Sequence, residues 1–400
     1  MEGASVRPFK STVSALVLTA FLCLSLIQPA AAQAAQPYTI LWQRQITGGS
    51  GSAGQPPVIS PWGDIFLLTG SGVLRLNDRG EQIWEFKAGD KPTSSPVFFD
   101  DGSTFVATAK VLYEVKPYGR PGWSFTVASG EKGSTASPPN LTRGPGDLFY
   151  LLLGRSLYAV APRRNMLWYL AQSDYPVAVD AGRQYVFVAR SQKGAGTTLE
   201  ALDSAGKSVW SRGFAEQKQV YLSLSPDGKY LYVVNIPKSP GKFNKCALYA
   251  LDAAAGTIIW SRKFNQNELS NITRGPDGLL YLVAGKRYLY GLDSLTGDER
   301  LSTQLLDLSG AAPAVDREGT IYVPGKERLY AVSSSDGRLL WDLDLDGGVP
   351  TTPTLGSDGL TIYFTDGKGT LYALRQGYND TATPAAAGAS SSGPASTPKP

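Results

Sequence analysis

One short phrase recurs along nearly the whole chain and constrains its fold more than any single residue does. It consists of a Leu, followed in most copies by Tyr, then a Gly-bearing turn and a Trp. Aligned on that Leu, eight copies lie 38 to 49 residues apart, at Leu74, Leu112, Leu157, Leu199, Leu248, Leu289, Leu329 and Leu371. Self-similarity at a period of about forty residues is typical of a β-propeller, in which each repeat folds as one four-stranded blade.

The composition within each repeat is that of short strands joined by tight turns. β-branched and aromatic residues fill the apolar runs, and no stretch of the repeats sustains a helical period. Asp-Gly pairs such as Asp277-Gly278 and Asp358-Gly359 supply the positive φ that tight turns need. The sequence therefore predicts an all-β, eight-bladed propeller of four-stranded antiparallel blades, with the Leu in the third strand and the Trp in the fourth.

The two ends of the repeat array complement each other. The eighth copy stops at Leu374 without a Trp segment, while residues 40–44 (Ile-Leu-Trp-Gln-Arg) match residues 258–262 (Ile-Ile-Trp-Ser-Arg). We expect the N-terminal strand to complete the last blade and close the ring, which leaves few unpaired strand edges. The alternative is that Trp42 is an ordinary core residue of an unrelated leading strand.

The phrase Ala250-Leu251-Asp252, Gly256, Trp260 resembles the PQQ-enzyme repeat, the building block of quinoprotein-like propellers. The resemblance covers roughly residues 38–377. It implies that a Trp of each blade docks onto the next blade, which assigns an inter-blade structural role to Trp42, Trp84, Trp123, Trp168, Trp210, Trp260 and Trp341. Two positions depart from the pattern, since Arg164 replaces the Gly and Leu301 replaces a Trp, and looser contacts are expected there.

The resemblance alone does not decide between catalysis and binding. Members that oxidise alcohols or sugars carry a calcium site, a catalytic carboxylate and often adjacent cysteines, whereas other members are non-enzymatic scaffolds of outer-membrane protein assembly. This chain has no His and only two cysteines, which are not adjacent. We therefore expect a non-catalytic scaffold of the latter kind, with no cofactor and no metal site. A PQQ- or calcium-dependent oxidoreductase is the alternative.

The chain begins with the features of an export signal. Arg7 and Lys10 precede an apolar run from Val13 to Ile27, and small residues then offer a cleavage site. We assign residues 1–32 to a signal peptide, with retention as a membrane anchor as the alternative, and residues 378–400 to a disordered Ala/Ser/Pro-rich tail. An exported protein of the cell envelope, extracellular or periplasmic, is predicted, with no transmembrane segment after cleavage. Cys246 is then the remaining thiol and is expected to be buried.

The charge balance is too mild to indicate nucleic acid as a partner. The net charge is +4, from 38 basic and 34 acidic residues. The acidic run from Asp342 to Asp346 superficially resembles the start of a calcium loop. However, alternation of Leu and Asp directly after Trp341 is typical of a solvated outer strand, which is the structure predicted here.

Repeats four and five contain the candidate functional surface. They are lengthened between their second and third strands, at 191–198 and 236–245, and in a propeller such connections of consecutive blades lie on one face. With the blade link expected at Lys218, the predicted partner-binding residues are Lys193, Lys218, Lys238, Lys242, Phe243 and Lys245. A cell-envelope protein or an anionic wall polymer is the expected partner of a monomeric protein.

Two alternatives to this surface stay open. Surface loops tolerate insertions at little energetic cost, so the lengthening can be without function. A wall-polymer- or carbohydrate-binding propeller would instead use surface aromatics such as Trp62, which lies outside the repeat phase beside a turn.

Overall fold

A computed structural model describes residues 37–46, 55–126, 140–144, 148–153, 156–163, 166–170, 175–181, 184–192, 196–215, 217–239 and 245–377. These residues form 32 strands and no helix. Within the same ranges no helix long and apolar enough to cross a membrane is found. The segments assigned to a signal peptide and a tail lie outside the described residues.

The first four blades are built from consecutive strands along the chain. Blade one comprises β2 (Val58–Ile59), β3 (Ile65–Leu68), β4 (Gly72–Leu76) and β5 (Gln82–Lys87). Blade two comprises β6 (Val97–Phe98), β7 (Thr104–Ala107), β8 (Val111–Val115) and β9 (Pro121–Thr126). Blade three comprises β10 (Asn140–Arg143), β11 (Phe149–Leu153), β12 (Ser156–Val160) and β13 (Met166–Leu170). Blade four comprises β14 (Tyr175–Ala181), β15 (Val186–Gln192), β16 (Gly196–Leu202) and β17 (Ser208–Phe214).

The next three blades repeat this order, and the eighth takes its outer strand from the N-terminus. Blade five comprises β18 (Gln217–Leu224), β19 (Tyr230–Pro237), β20 (Ala247–Asp252) and β21 (Ile258–Lys263). Blade six comprises β22 (Thr273–Arg274), β23 (Leu279–Ala284), β24 (Tyr288–Asp293) and β25 (Glu299–Gln304). Blade seven comprises β26 (Ala314–Val315), β27 (Thr320–Pro324), β28 (Arg328–Ser333) and β29 (Leu339–Asp344). Blade eight comprises β30 (Thr354–Leu355), β31 (Thr361–Thr365), β32 (Thr370–Gln376) and β1 (Tyr38–Gln45).

The predicted closure by the N-terminal strand is confirmed. β1 pairs antiparallel with β32, placing Ile40 opposite Leu374 and Trp42 opposite Ala373. On the inner side, the Thr354 hydroxyl donates a hydrogen bond to the Pro57 carbonyl at 2.7 Å, which links blade eight to blade one. The all-β, eight-bladed propeller of four-stranded antiparallel blades is therefore the fold of this chain.

The core is divided among the junctions between blades. The described residues form eight buried apolar clusters, and each cluster combines side chains of two neighbouring blades. Second strands such as β3 and β27 are buried along their whole length because a blade covers each of their faces. Outer strands such as β5 alternate between exposed and buried residues, since one face meets solvent.

Most of the Trp residues in the fourth strands bridge one blade to the next through the same contact. The indole Nε1 donates to a backbone carbonyl in the turn between the third and fourth strands of the following blade, and a glycine of that turn lies under the ring. The pairs are Trp42 with Asp78 and Gly80, Trp84 with Pro117 and Gly119, Trp168 with Ser204 and Gly206, Trp210 with Ala253 and Gly256, and Trp260 with Ser294 and Gly297. The donor-acceptor distances are 2.8 Å in the first three pairs and 3.1 Å in the last two.

A β-bulge directly before the Trp recurs in the outer strands. In blade five, Ala250 is opposite Trp260 but Leu251 is opposite Ile258, so Ile259 is the extra residue. A bulge turns the side chains locally and increases the twist of the strand. Consequently the bulged residue faces solvent, as Ile259 does with 48% of its surface exposed, while the Trp after it is turned onto the neighbouring blade.

The joint that lacks a Trp keeps a hydrogen bond through another side chain. Leu301 occupies the Trp position and contacts the turn at Gly337. Thr303, two residues further on, donates its hydroxyl to the Gly337 carbonyl at 2.8 Å. A threonine hydrogen bond therefore links blades six and seven at the joint where looser contacts are expected from the sequence.

The joint between blades two and three is built around ionic contacts. Arg163, with a φ of 58°, lies in the third-to-fourth-strand turn of blade three and forms an ion pair with Glu114 at 2.6 Å and another with Asp101. Burial alone would raise the pKa of Asp101, but hydrogen bonds from Arg163 and Ser103 lower that pKa to about 2. Arg164 lies outside the described residues.

Candidate partner-binding face

The strand pairing of blade five defines which residues share one face of the ring. Gln217, at the start of β18, is opposite Pro237 at the end of β19, and Asn235 is opposite Ala247 near the start of β20. The second-to-third-strand connections and the links from one blade to the next therefore lie at the same end of each blade. We call this end the loop face.

The predicted lengthening of repeats four and five is accommodated in two different ways. In blade four, Gln192 pairs with Gly196, so the extra residues extend β15 and β16, and only residues 193–195 lie between those strands. The prediction of a long loop at 191–198 is therefore wrong. In blade five, residues 238–246 separate β19 from β20, whereas two to four residues form the equivalent connection in each of the other seven blades.

The described lysines of the predicted surface lie at the loop face of blade five. Lys218 belongs to β18 and not to a blade link, which corrects the sequence prediction, because the main-chain pairing of β18 begins at Gln217. Lys238 directly follows β19 and is exposed, while the Lys245 ammonium contacts the side-chain oxygen of Asn265. Lys193, Lys242 and Phe243 lie outside the described residues.

A cavity of about 180 Å³ opens at this face between blades five and six. Blade five contributes Lys218 and Ile236 to its lining. Blade six and the link before it contribute Glu268, Leu269 and Lys286. Ile236 and Leu269 are 6% and 4% exposed, so the floor is part of the apolar core. The cavity therefore combines a charged rim with an apolar floor.

The charges around the cavity are only partly compensated. Lys286 forms a salt bridge with Glu268, with 3.4 Å between the nitrogen and the oxygen, and each side chain is 48% exposed. Lys218 is exposed and has no ion pair or side-chain hydrogen bond among the described residues. One positive charge at the rim is thus available to a ligand.

The thiol near this cavity is structural. Cys246 is fully buried, as predicted, and burial together with the Glu268 carboxylate raises the pKa of its thiol to about 11. Burial and the same carboxylate also raise the pKa of Tyr221, which lines the cavity. The thiol is therefore protonated at neutral pH and is not a nucleophile there.

Sequence reasoning missed the blade-six side of the cavity. Glu268 precedes β22, and Lys286 lies in the three-residue connection between β23 and β24. Neither segment is lengthened, so repeat length does not point to them. The phase of the repeats does predict their position, since it places both segments at the loop face.

Two other sequence candidates have structural surroundings of their own. Trp62 is 38% exposed and its ring lies 5.4 Å from that of Phe98 in an edge-on contact. The start of the acidic run forms the end of β29, where Arg328 forms ion pairs with Asp342 at 2.5 Å and with Asp344 at 2.8 Å. Among the described residues, no group of three or more His, Cys, Asp or Glu side chains is arranged to hold a metal ion.

The sequence matches a protein family described as outer membrane protein assembly factor BamB, over residues 195–312 and 244–389. No curated protein matches the sequence. The match falls on the C-terminal blades, which include blade five and the cavity.

Solved structures share the fold at low sequence identity. BamB from Moraxella catarrhalis is 15% identical, with a TM-score of 0.62, and the similarity covers 84% of this chain and 99% of that one. The quinohemoprotein alcohol dehydrogenase of Comamonas testosteroni is 13% identical, with a TM-score of 0.62, over 85% of this chain and 76% of that one. The computationally designed protein Ika8 is 12% identical, with a TM-score of 0.64, over 83% and 98%. The predicted resemblance to the PQQ-repeat propellers, and to their scaffold members, is confirmed.

Proposed function

Because the chain is a closed propeller of PQQ-type repeats, we propose that it is an exported, non-catalytic scaffold of the cell envelope. On this proposal it binds a protein partner through the loop face of blades five and six. The observation that carries the proposal is twofold: the nine-residue connection 238–246 is the longest of its kind between the strands, and β19, which precedes it, lines a cavity where Lys218 has no anionic partner among the described residues. Long connections on a rigid framework commonly carry binding residues.

The envelope location is supported by two independent features. The N-terminal segment combines Arg7 and Lys10 with an apolar run and small residues, as export signals do. The matching family is described as an outer membrane protein assembly factor. A scaffold of this compartment requires no reactive side chain, which accords with a chain that contains no histidine.

The binding face can be tested by photo-crosslinking within one blade. A photoreactive amino acid replaces Lys238 at the loop face or Lys229 in the turn between β18 and β19, at the opposite end of the same blade. In cells that express the full-length chain, we expect one discrete protein adduct from position 238 and none from position 229. Equal labelling from both positions, or no adduct from either, would contradict the proposed face.

The non-catalytic part of the proposal needs a separate test. The full-length protein is incubated with PQQ, calcium and a panel of primary alcohols and aldoses, with an artificial electron acceptor as the readout. We expect no turnover above that of PQQ and calcium without protein. Oxidation that saturates with substrate and depends on the protein would replace the scaffold by an oxidoreductase.

A further inference from the structure

The cavity between blades five and six has features that specify what the partner presents to it. Its floor is apolar, since Leu269 and Val283 are 4% and 1% exposed, so a side chain inserted there gains from leaving water. At about 180 Å³ it is smaller than the roughly 300–1,000 Å³ typical of small-molecule sites. The size favours a single anchoring side chain of a larger partner over a free cofactor or substrate.

The charge at the rim selects for a negative group next to that anchor. Lys218 and Lys286 contribute two positive charges, and Glu268 contributes one negative charge that is already paired with Lys286. The ammonium of Lys218 is left without an anionic partner among the described residues. Ser270, also in the wall, has no hydroxyl proton left to donate to an anion. Its hydroxyl donates to the Asn271 carbonyl and accepts a hydrogen bond from the Val283 amide.

We propose that this cavity is the anchor site for a partner segment that places a carboxylate on Lys218 and an adjacent aliphatic side chain on the apolar floor. The inference rests on the proposed scaffold function and adds the chemistry of the partner. A peptide carboxylate matches the Lys218 ammonium, the one uncompensated charge among the described residues that line the cavity. A phosphate would be better matched by the paired donors of an arginine, and the described residues that line the cavity include no arginine.

The test compares two neutral-ended peptides that differ in one group. Ac-Gly-Leu-Asp-Leu-Gly-amide and its Asn counterpart are titrated against the full-length protein by ligand-observed NMR at low ionic strength. An exposed ion pair contributes up to about fivefold in affinity, so we expect the Asp peptide to bind up to about fivefold more tightly. Salt should remove this preference, because it screens an exposed pair.

Three variants connect the preference to the cavity. Lys218→Ala should abolish the preference for Asp while leaving the Asn peptide bound as before, and Lys229→Ala, on the opposite face of the same blade, should change neither. Ser309→Trp, in the half-buried wall of the cavity, should weaken both peptides equally. Circular dichroism confirms that each variant is folded.

Several outcomes would overturn the inference. They are the absence of binding by either peptide, equal binding of the two, and a preference for Asp that survives Lys218→Ala. Binding of phosphatidylglycerol vesicles that depends on Lys218 while neither peptide binds would likewise assign the cavity to lipid. A crosslinked partner at position 238 together with any of these results would leave the scaffold function standing and refute only the anchor site.

Discussion

The joints between blades allow a direct measurement of what the indole hydrogen bond contributes. Trp260 and Trp341 occupy equivalent positions in blades five and seven and are buried alike, with 9% and 7% exposure. Trp260 donates to the Ser294 carbonyl at 3.1 Å. Trp341 Nε1 is buried without a hydrogen-bond partner among the described residues. Substitution of each by Phe removes the same atoms from two sites of similar burial, one packed on Gly297 and the other on the ring of Tyr38, so the difference between the variants reports chiefly the hydrogen bond.

The expected magnitude follows from the partners of each indole. In Trp260→Phe the Ser294 carbonyl retains a hydrogen bond from the Tyr232 hydroxyl at 3.3 Å, so the loss is that of one hydrogen bond, about 1 kcal/mol. In Trp341→Phe a buried donor without an acceptor disappears, which relieves a cost of about 1–3 kcal/mol. The loss of buried ring area is similar in the two, because the indoles are buried to similar extents. We therefore expect Trp260→Phe to lower the free energy of unfolding by roughly 2–4 kcal/mol more than Trp341→Phe does.

The measurement is urea unfolding of the two full-length variants and the unsubstituted protein. Far-UV circular dichroism and the fluorescence of the remaining tryptophans should give coincident transitions, which justifies a two-state free energy. A repeat protein can unfold in stages, and the coincidence of the two probes is the control for this. If Trp341→Phe proves as destabilising as Trp260→Phe, the Trp341 indole has an acceptor in solution and the argument from its burial is wrong.

Two further predictions concern the turns of the blades. Gly297 has a φ of 77° and a Cβ there would lie 2.5 Å from an indole carbon, whereas Gly278 has a φ of 79° and its Cβ would meet no atom closer than 4.0 Å. In both Ala variants, backbone strain should lower the free energy of unfolding by about 1–2 kcal/mol, and overpacking should lower it by about 1–3 kcal/mol more in Gly297→Ala. Urea unfolding measures both values, and equal losses would refute docking of the indole on this turn. Because the folded-state pKa of Asp101 is depressed to about 2, from an ordinary 3.8, its pairing with Arg163 stabilises the fold above about pH 4 and ceases to do so as the pH falls through 2. Burial alone would raise the pKa of Glu114, but Arg163 also helps to lower it, so the stability difference between the unsubstituted protein and Arg163→Gln should shrink as both carboxylates become protonated. A difference that does not change with pH would contradict the ionic origin of this joint.

Repeat phase made the architecture predictable from the sequence, because it fixes strand order and the place of the turns. The match between residues 40–44 and 258–262 was enough to predict closure. The sequence contains a second pattern of this kind. The Arg two residues after the Trp, as in Arg44 and Arg212, donates to the turn carbonyl of Gly80 at 2.6 Å and of Gly256 at 2.7 Å.

The candidate site was less predictable because sequence length does not say where extra residues go. Additional residues between two paired strands can extend the ladder or form a loop, and the difference in free energy is small. In blade four the pair Gln192 and Gly196 shows that they extend the ladder. The register of β18, which places Lys218 within a strand, is set by main-chain pairing that any side chain accepts.

The position of the proposed site relative to the joints has a physical rationale. Because the ring is closed by β1 and β32, no turn connects the third and fourth strands of blade eight. Trp341 therefore meets the ring of Tyr38 at 4.6 Å, where five other joints offer a turn carbonyl. The cavity lies elsewhere, between blades five and six, which are held together by Trp260 on Gly297. The walls of a preorganised binding site keep their separation when the partner is absent. The loop face of blades five and six has this property, because the hydrogen bond from Trp260 to the Ser294 carbonyl fixes the two blades that contain Lys218 and Lys286.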